Sequence, residues 1–326
     1  MRHPLGQRAD GSGTAVGNVA PYGTLARLRR RTLVLLSVGQ ILGGFGIGAS
    51  LSVGALAAND LAGAAWSGLA ATVMTLGAAV LAIPLARLAD RSGRRVSLSG
   101  AALIAAAGAA VCVLGLSVGS VLLLFTGLGL IGAATAGGLQ SRFAATDLAS
   151  ATSRGRDLSL VVWSTTVGAV AGPNLAEPGS ILGAALGLPP LAGVFLFPVA
   201  AHLLAAAVYL VWMRPDPLLE SRRLATLADP GPSSPARTDA GLGSMTLVWL
   251  AISTVSLSHA TMVALMAMTP VHLVQGGATL SVVGFTISAH IAGMFALSPV
   301  FGVLADRLGR FPTIVMGQVL LLASAV

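Results

Sequence analysis

Three histidines, His202, His259 and His290, lie inside long apolar stretches of the sequence, where ionisable side chains are rare. Histidine changes its charge near neutral pH, so His259 and His290 are candidates for carrying protons across an apolar barrier. His259, Met262 and Met266 follow one another at i, i+3 and i+7, which places them on one helical face. Soft methionine side chains adapt to irregular apolar ligands. The alternatives are neutral histidines bonded to neighbouring helices and methionines that only fill the core.

The remaining polar residues do not predict catalytic or metal chemistry. The only cysteine, Cys112, lies within an apolar run, so no disulfide or cysteine-based metal site can be assembled. The apolar runs contain no paired carboxylates, no arrangement of Ser, His and Asp typical of hydrolases and no metal-ligand spacing. We therefore expect no enzyme activity, no bound metal and no other cofactor.

The elements that must position these histidines are predicted to be membrane-spanning helices. Hydrophobic residues make up 55% of the 326 residues, and charged residues make up 9%, against about 25% in ordinary soluble domains. The apolar runs approach the ~20 residues that cross a bilayer as a helix. An all-α integral membrane protein is the predicted fold class. The nine predicted spans cover residues 33–58, 65–86, 96–117, 120–141, 158–177, 189–212, 244–270 and 280–304, with the last beginning near 311.

The positions of the 19 basic residues, all of them arginine, predict the orientation of these spans. When the N-terminal tail is placed in the cytoplasm and the side alternates with each span, every arginine falls on the cytoplasmic side. The same distribution accounts for the net charge of +8 without a nucleic-acid partner. The predicted location is therefore the inner (plasma) membrane, with many passes, a cytoplasmic N-terminus and the lipid bilayer as surroundings.

Breaks in the apolar pattern predict four segments. Residues 1–32 are polar and end in an arginine cluster, which favours a disordered cytoplasmic tail. Residues 33–213 hold six spans and form an N-terminal lobe. Residues 214–243 contain five prolines among Ser, Asp and Arg, a composition typical of a linker, here cytoplasmic. Residues 244–326 hold spans seven to nine.

One short string, Leu-Ala-Asp-Arg-x-Gly-Arg, occurs after the second span of each block. Its Asp and Arg side chains can pin two helix ends through charge-assisted hydrogen bonds, and its glycine permits a tight turn. The alternative is two solvated loops that only obey the charge rule. Repeated blocks of this kind are the usual construction of a secondary transporter. The residues concerned are Asp90, Arg91, Gly93 and Arg94 in the first copy and Asp306, Arg307, Gly309 and Arg310 in the second.

The repeated string closely resembles the signature of the major facilitator superfamily (MFS), G-x-L-x-D-R-x-G-R-R/K, with Ala86 in place of the opening glycine in the first copy. The resemblance implies a bundle of two six-helix lobes that alternates between inward-open and outward-open states. About nine of twelve helices are then present, and the C-terminal lobe is incomplete. The resemblance also implies a conformational lock by the motif's Asp. Asp306 is expected to face Asp157 and Leu158 at the start of span five.

Span five contains Gly168, Gly172 and Pro173 in the order G-x-x-x-G-P, which is similar to a motif of exporters in this family. The resemblance implies export by antiport. Ordinary packing of small residues between helices is the alternative explanation. The arginine that the family carries within helix four has no counterpart, because Phe125 stands near its place.

The resemblance places the central pathway along helices one, four, seven and ten. Gln40 and His259 are the favoured pathway residues, with Met262 and His290 as further candidates for contacting the substrate or protons. Ser50, Asn59, Thr72 and Thr75 are other polar groups of the first two spans. The predicted function is a secondary active transporter of small molecules, more specifically a proton-coupled exporter of hydrophobic compounds. The alternative is a truncated membrane protein that does not transport and acts, if at all, through partners.

Overall fold

The computed structural model describes residues 22–150, 153–228, 245–297 and 307–324, together with Val300 and Leu304. The described residues form α-helices joined by short turns, and one 3₁₀ turn spans Gly172–Leu175. The helices are α1 (Tyr22–Ala62), α2 (Ala64–Ser117), α3 (Val121–Asp147), α4 (Arg154–Ala171), α5 (Ala176–Ala185), α6 (Pro190–Trp212), α7 (Pro217–Ala228), α8 (Met245–Gln275), α9 (Leu280–Ala296) and α10 (Arg310–Ser324). Each of the nine predicted spans overlaps one of these helical segments.

The long helix α2 contains two of the predicted spans. Its 54 residues are far more than the ~20 that one crossing needs. The helix breaks at Gly93, which has a φ of 88°, a left-handed conformation that glycine adopts without strain. Gly309 has a φ of 92° at the equivalent position of the second copy of the motif. The turn predicted from the motif glycine therefore occurs in both copies.

Turns at one end of the bundle also rely on left-handed glycines. Gly63, Gly119, Gly187 and Gly277 all have positive φ values and connect consecutive helices there. The other end carries Arg29, Arg94, Arg222 and most of the described charged side chains. We name it the arginine-rich end, and the glycine turns mark the opposite end.

The structure corrects the predicted N-terminal tail in its last part. Residues 1–21 lie outside the described residues, but α1 begins at Tyr22 rather than at Leu33. Arginine is a good helix former, and two arginines of this extension have partners in the bundle. Arg29 donates hydrogen bonds of 2.6 and 2.8 Å to the Asp157 carboxylate, and Arg31 donates one of 2.9 Å to the Trp212 carbonyl. These contacts favour continuing the helix beyond the apolar run.

The predicted linker, residues 214–243, contains a helix that the sequence did not indicate. Helix α7 covers Pro217–Ala228, while residues 229–244 lie outside the described part. Asp216 caps α7, because its Oδ1 accepts hydrogen bonds from the amides of Leu218 and Leu219 at 3.0 and 3.3 Å. Helix α7 contacts α2 and α3 at the arginine-rich end.

Small residues allow the first six spans to pack tightly around a buried core. Leu124, Leu128 and Ile131 of α3 are fully buried, as is Phe195 of α6. Helix α9 packs against α4 and α5, so the C-terminal block contacts the N-terminal block. Many large apolar side chains point outward, as expected for helices surrounded by lipid. Six described helices are long and apolar enough to cross a membrane, and two shorter apolar helices, Leu280–Phe295 and Phe311–Ala323, accompany them.

Candidate functional site

A cavity of about 280 Å³ lies between the N-terminal helices and the first two helices of the C-terminal block. Helices α1 to α4 form one wall, and α8 and α9 form the other. Most of the lining is apolar or glycine, including Leu51, Met74 and Ile291. A mainly apolar cavity with a few polar groups is typical of binding sites for small organic molecules.

Gln40 is the buried polar residue of α1 on this wall. Its side-chain amide donates to the Thr165 hydroxyl at 3.2 Å and to the Gly138 carbonyl at 3.5 Å. These bonds link α1 to α4 and α3 and hold the amide at the surface of the cavity. Ser50 and Thr75 also line the cavity, whereas Asn59 and Thr72 do not belong to the lining.

Helix α8 contributes the face that the i, i+3, i+7 spacing indicated. His259, Met262 and Met266 all line the cavity, as this spacing allows. Met294 and Phe295 of α9 complete this wall, although the sequence analysis did not single them out. The sequence indicated only that span eight is apolar, and an apolar composition does not show which residues of a helix face inward.

Two other histidines lie elsewhere. His290 is exposed on α9 and is not part of the lining, although Ile291 and Met294 of the same helix are. His202 is buried in α6 against Gly46 of α1. A Cβ added at Gly46 would lie 2.5 Å from the His202 Nε2, so only glycine leaves room for this imidazole. The histidine that faces the main cavity among these three is His259.

Arg142 lines the cavity, although the sequence analysis placed it with all other arginines on the cytoplasmic side. It lies within α3, and Thr135, Gly138, Leu139 and Arg142 form one stripe of this helix along the cavity. Span four was predicted to end at residue 141, so Arg142 fell just outside it and was counted with the cytoplasmic charges. Helix α3 continues to Asp147, and this extension places Arg142 inside the bundle.

The motif Gly168, Gly172 and Pro173 lies where α4 meets the 3₁₀ turn. A Cβ at Gly172 would lie 2.5 Å from the Phe45 carbonyl oxygen, and one at Gly168 would lie 2.7 Å from the Phe45 amide nitrogen. Both glycines therefore allow α4 to touch the backbone of α1. Pro173 continues this surface toward α9, since a Cβ at Gly284 would lie 2.6 Å from the Pro173 carbonyl oxygen.

Polar contacts join the two blocks near the opposite end of the bundle. The Asn174 side chain donates to the Ser288 hydroxyl at 2.8 Å, and this hydroxyl donates to the Val170 carbonyl at 2.6 Å. The Ser281 hydroxyl donates to the Glu177 carboxylate. These bonds join the region after α4 to α9 and so link the two blocks.

The first copy of the repeated motif lies at the arginine-rich end. Arg94 forms an ion pair with Asp147 of α3 at 2.9 Å, and the exposed Asp90 is paired with Arg222 of α7 at 3.2 Å. Arg91 is exposed. Gly93 is buried against Asp216, whose Oδ2 accepts a 2.7 Å hydrogen bond from the Arg95 amide. The motif therefore contacts α3 and the segment that begins α7.

The second copy is described only in part. Asp306 lies outside the described residues, so its expected contact with Asp157 and Leu158 is not seen or excluded. Arg307 and Gly309 are exposed, and Arg310 begins α10. The Asp157 carboxylate is already bound by Arg29.

We expect Asp216→Ala to loosen α7, because the change removes the helix cap and the acceptor for the Arg95 amide. Loss of a cap and of a charge-assisted hydrogen bond should speed amide hydrogen exchange across residues 217–228 by about 10-fold. Hydrogen-exchange mass spectrometry measures this directly. Glu220→Gln is the matched control, since Glu220 lies in the same helix and its ion pair, with Arg223 at 3.8 Å, stays within α7. Equal exchange in both variants would contradict the role given to Asp216.

Comparison with known proteins identifies the family. The family model described as Major Facilitator Superfamily matches residues 33–326. The "Uncharacterized MFS-type transporter YdeG" of Bacillus subtilis (strain 168) is 39% identical over 302 residues, which cover 92% of this chain and 70% of that protein. The "Uncharacterized MFS-type transporter YddS" of the same organism is 36% identical over 309 residues, covering 92% and 70%.

A third relative is the "Riboflavin transporter RfnT" of Brucella anthropi, which is 28% identical over 313 residues, covering 93% of this chain and 74% of that protein. The family match covers both helical blocks and the cavity between them. The chain thus belongs to the major facilitator superfamily and is a multi-pass membrane transporter rather than an enzyme.

Proposed function

We propose that the chain exports hydrophobic organic compounds by alternating access, with the cavity between the two blocks as the substrate site. The observation that carries this proposal is the lining of the cavity. Met262, Met266 and Met294 lie on one wall and Gln40 with Thr165 on the other, so an apolar ligand meets an adaptable surface and few polar groups.

The arginine distribution supports an orientation for this site. With the arginine-rich end in the cytoplasm of a bacterial cell, the N-terminus is cytoplasmic and the end with the glycine turns faces outward. The contacts of Asn174 with Ser288 and of Glu177 with Ser281 then join the two blocks near the outer end. These contacts support the proposal that the chain takes up substrate from the cytoplasmic side in this conformation.

Coupling to protons is proposed to run through His259. Its imidazole lies in the same cavity as the substrate site, where a change of charge would alter how an apolar ligand binds. The similarity of the G-x-x-x-G-P motif to that of exporters in this family adds support for antiport, and the motif lies where α4 packs against α1. His290 remains a candidate from sequence only.

Efflux from cells that lack their main export pumps tests this function. Cells expressing the chain should accumulate less N-phenyl-1-naphthylamine, a neutral apolar compound, than cells with an empty vector. The name of one relative, a riboflavin transporter, is a reason to test riboflavin as well. Unchanged accumulation of every compound, with the chain verified in the membrane, would refute export of such compounds.

We expect His259→Ala to remove most of the dependence of efflux on external pH. His272→Ala is the matched control, because His272 is exposed near the end of the same helix and outside the cavity. His290→Ala should behave like this control. If His259→Ala keeps the pH profile of the unmodified chain, His259 does not couple protons.

A further inference from the structure

Arg142 is a charged side chain inside the bundle that lacks an acceptor for its buried Nε. The Nε atom is shielded from solvent, and no described residue accepts a hydrogen bond from it. The residue lies on the cavity stripe of α3, beside Leu139 and Gly138. A buried polar atom without a partner is rare in proteins and calls for an explanation.

No described carboxylate neutralises this guanidinium. Apart from Asp60, which lies near the opposite end of α1, each described carboxylate has a partner elsewhere. The pairs are Asp90 with Arg222, Asp147 with Arg94, Asp157 with Arg29, Glu220 with Arg223, Glu177 with the Ser281 hydroxyl, and Asp216 with the Arg95 amide. The cavity lining itself contains no Asp or Glu.

A half-buried guanidinium that has no counterion among the described residues is a candidate functional group. A charged group within a membrane-spanning helix is expensive unless it pairs with an opposite charge or faces a cavity. Guanidinium groups bind carboxylate, sulfonate and phosphate groups through directional, charge-assisted hydrogen bonds. A ligand anion in the cavity would supply both the missing acceptor and the missing countercharge.

We propose that the Arg142 guanidinium binds the anionic group of an amphipathic organic substrate whose apolar body lies against the methionine wall. This inference rests on the proposed function and narrows it, since it names the chemical class of the substrate. A cavity of about 280 Å³ is at the small end of the range for organic ligands, so a compact aromatic compound with one anionic group matches its size.

Two fluorescent probes with the same ring system test the proposal. 8-Anilinonaphthalene-1-sulfonate carries the anion, and N-phenyl-1-naphthylamine lacks it. Binding to the purified chain is measured in dodecyl maltoside, a nonionic detergent without phosphate groups, after subtraction of empty micelles. We expect Arg142→Gln to weaken binding of the sulfonate by about 10-fold or more and to change binding of the neutral probe less than about 2-fold. Arg142→Lys should recover part of the loss.

Arg156→Gln is the matched control, because Arg156 is exposed at the same end and its loss changes the net charge equally. Equal losses for both probes, or no loss for either, in Arg142→Gln would overturn the proposal. If the unmodified chain binds the neutral probe but not the sulfonate, the anion site is refuted and export of neutral compounds stands. If it binds only the sulfonate, through Arg142, the anion site stands and transport of neutral compounds is refuted. Binding of neither probe refutes both.

Discussion

Gly172→Val is expected to prevent the first and fifth spans from packing and to give the largest loss of stability among the changes considered. A Cβ at this position would lie 2.5 Å from the Phe45 carbonyl oxygen, 2.7 Å from the Ala49 amide nitrogen and 3.0 Å from the Gly48 Cα. All three are backbone atoms of α1, so no side chain can rotate away. Overpacking typically costs 1–3 kcal/mol, and a backbone clash should exceed about 3 kcal/mol.

The measurement is thermal unfolding of the purified chain in detergent, followed by size-exclusion chromatography. A loss of this size should lower the apparent Tm by about 5–10 °C or abolish the monodisperse peak. Gly293→Val is the control, since a Cβ at Gly293 of α9 meets no atom within 4 Å. Equal stability of the two variants would show that α4 and α1 can separate without loss. The export motif would then need an explanation other than close packing.

Arg29→Gln is expected to destabilise the chain because it leaves the Asp157 carboxylate buried without a partner. Arg29 and Asp157 form two hydrogen bonds, of 2.6 and 2.8 Å, and Asp157 is 3% exposed. Removing one member of a buried ion pair costs 3–5 kcal/mol, and the partial exposure of Arg29 places the effect at about 3 kcal/mol. The apparent Tm should fall by about 5 °C or more.

A double-mutant cycle separates this pair from general effects of charge removal. Asp157→Asn in the Arg29→Gln background removes the unpaired charge, so we expect it to restore at least half of the lost stability. Arg27→Gln is the matched control, because Arg27 is exposed on the same turn of α1. If the double variant is less stable than Arg29→Gln, the buried carboxylate is not the source of the loss.

The span positions and the turn at Gly93 followed from local sequence, for physical reasons that act over short distances. An apolar run of about 20 residues must form a helix in a bilayer, because its backbone polar groups find no water there. A glycine between charged residues at the end of such a run permits a left-handed turn. The same argument holds for Gly309, which shares the conformation of Gly93.

Helix ends and the linker were harder to predict because their stability comes from distant residues. Hydropathy placed the start of α1 at Leu33, but Arg29 and Arg31 extend it through contacts with Asp157 and Trp212. Helix α7 is polar and amphipathic, and it depends on its cap, Asp216, which also binds the Arg95 amide. No local pattern in residues 214–243 indicated this contact.

Some residues of the candidate site were predicted from local sequence, and others were recognised only in the structure. The helical spacing of His259, Met262 and Met266 indicated a common face, and Gln40 was the favoured polar residue of the first span. All four line the cavity. His290 had the same apparent depth as His259 in the sequence, but only His259 belongs to the cavity lining. Arg142 had the appearance of a loop charge, although it faces the cavity.

The sequence by itself determined the helical membrane fold, the family and the repeated motif, because these depend on composition and on patterns within single segments. Only the tertiary structure decided which side chains meet: Arg29 with Asp157, Gly172 with the α1 backbone, and Arg142 with the cavity. The physical reason is the rotation of each helix about its axis, which packing between distant segments sets and hydropathy alone does not encode.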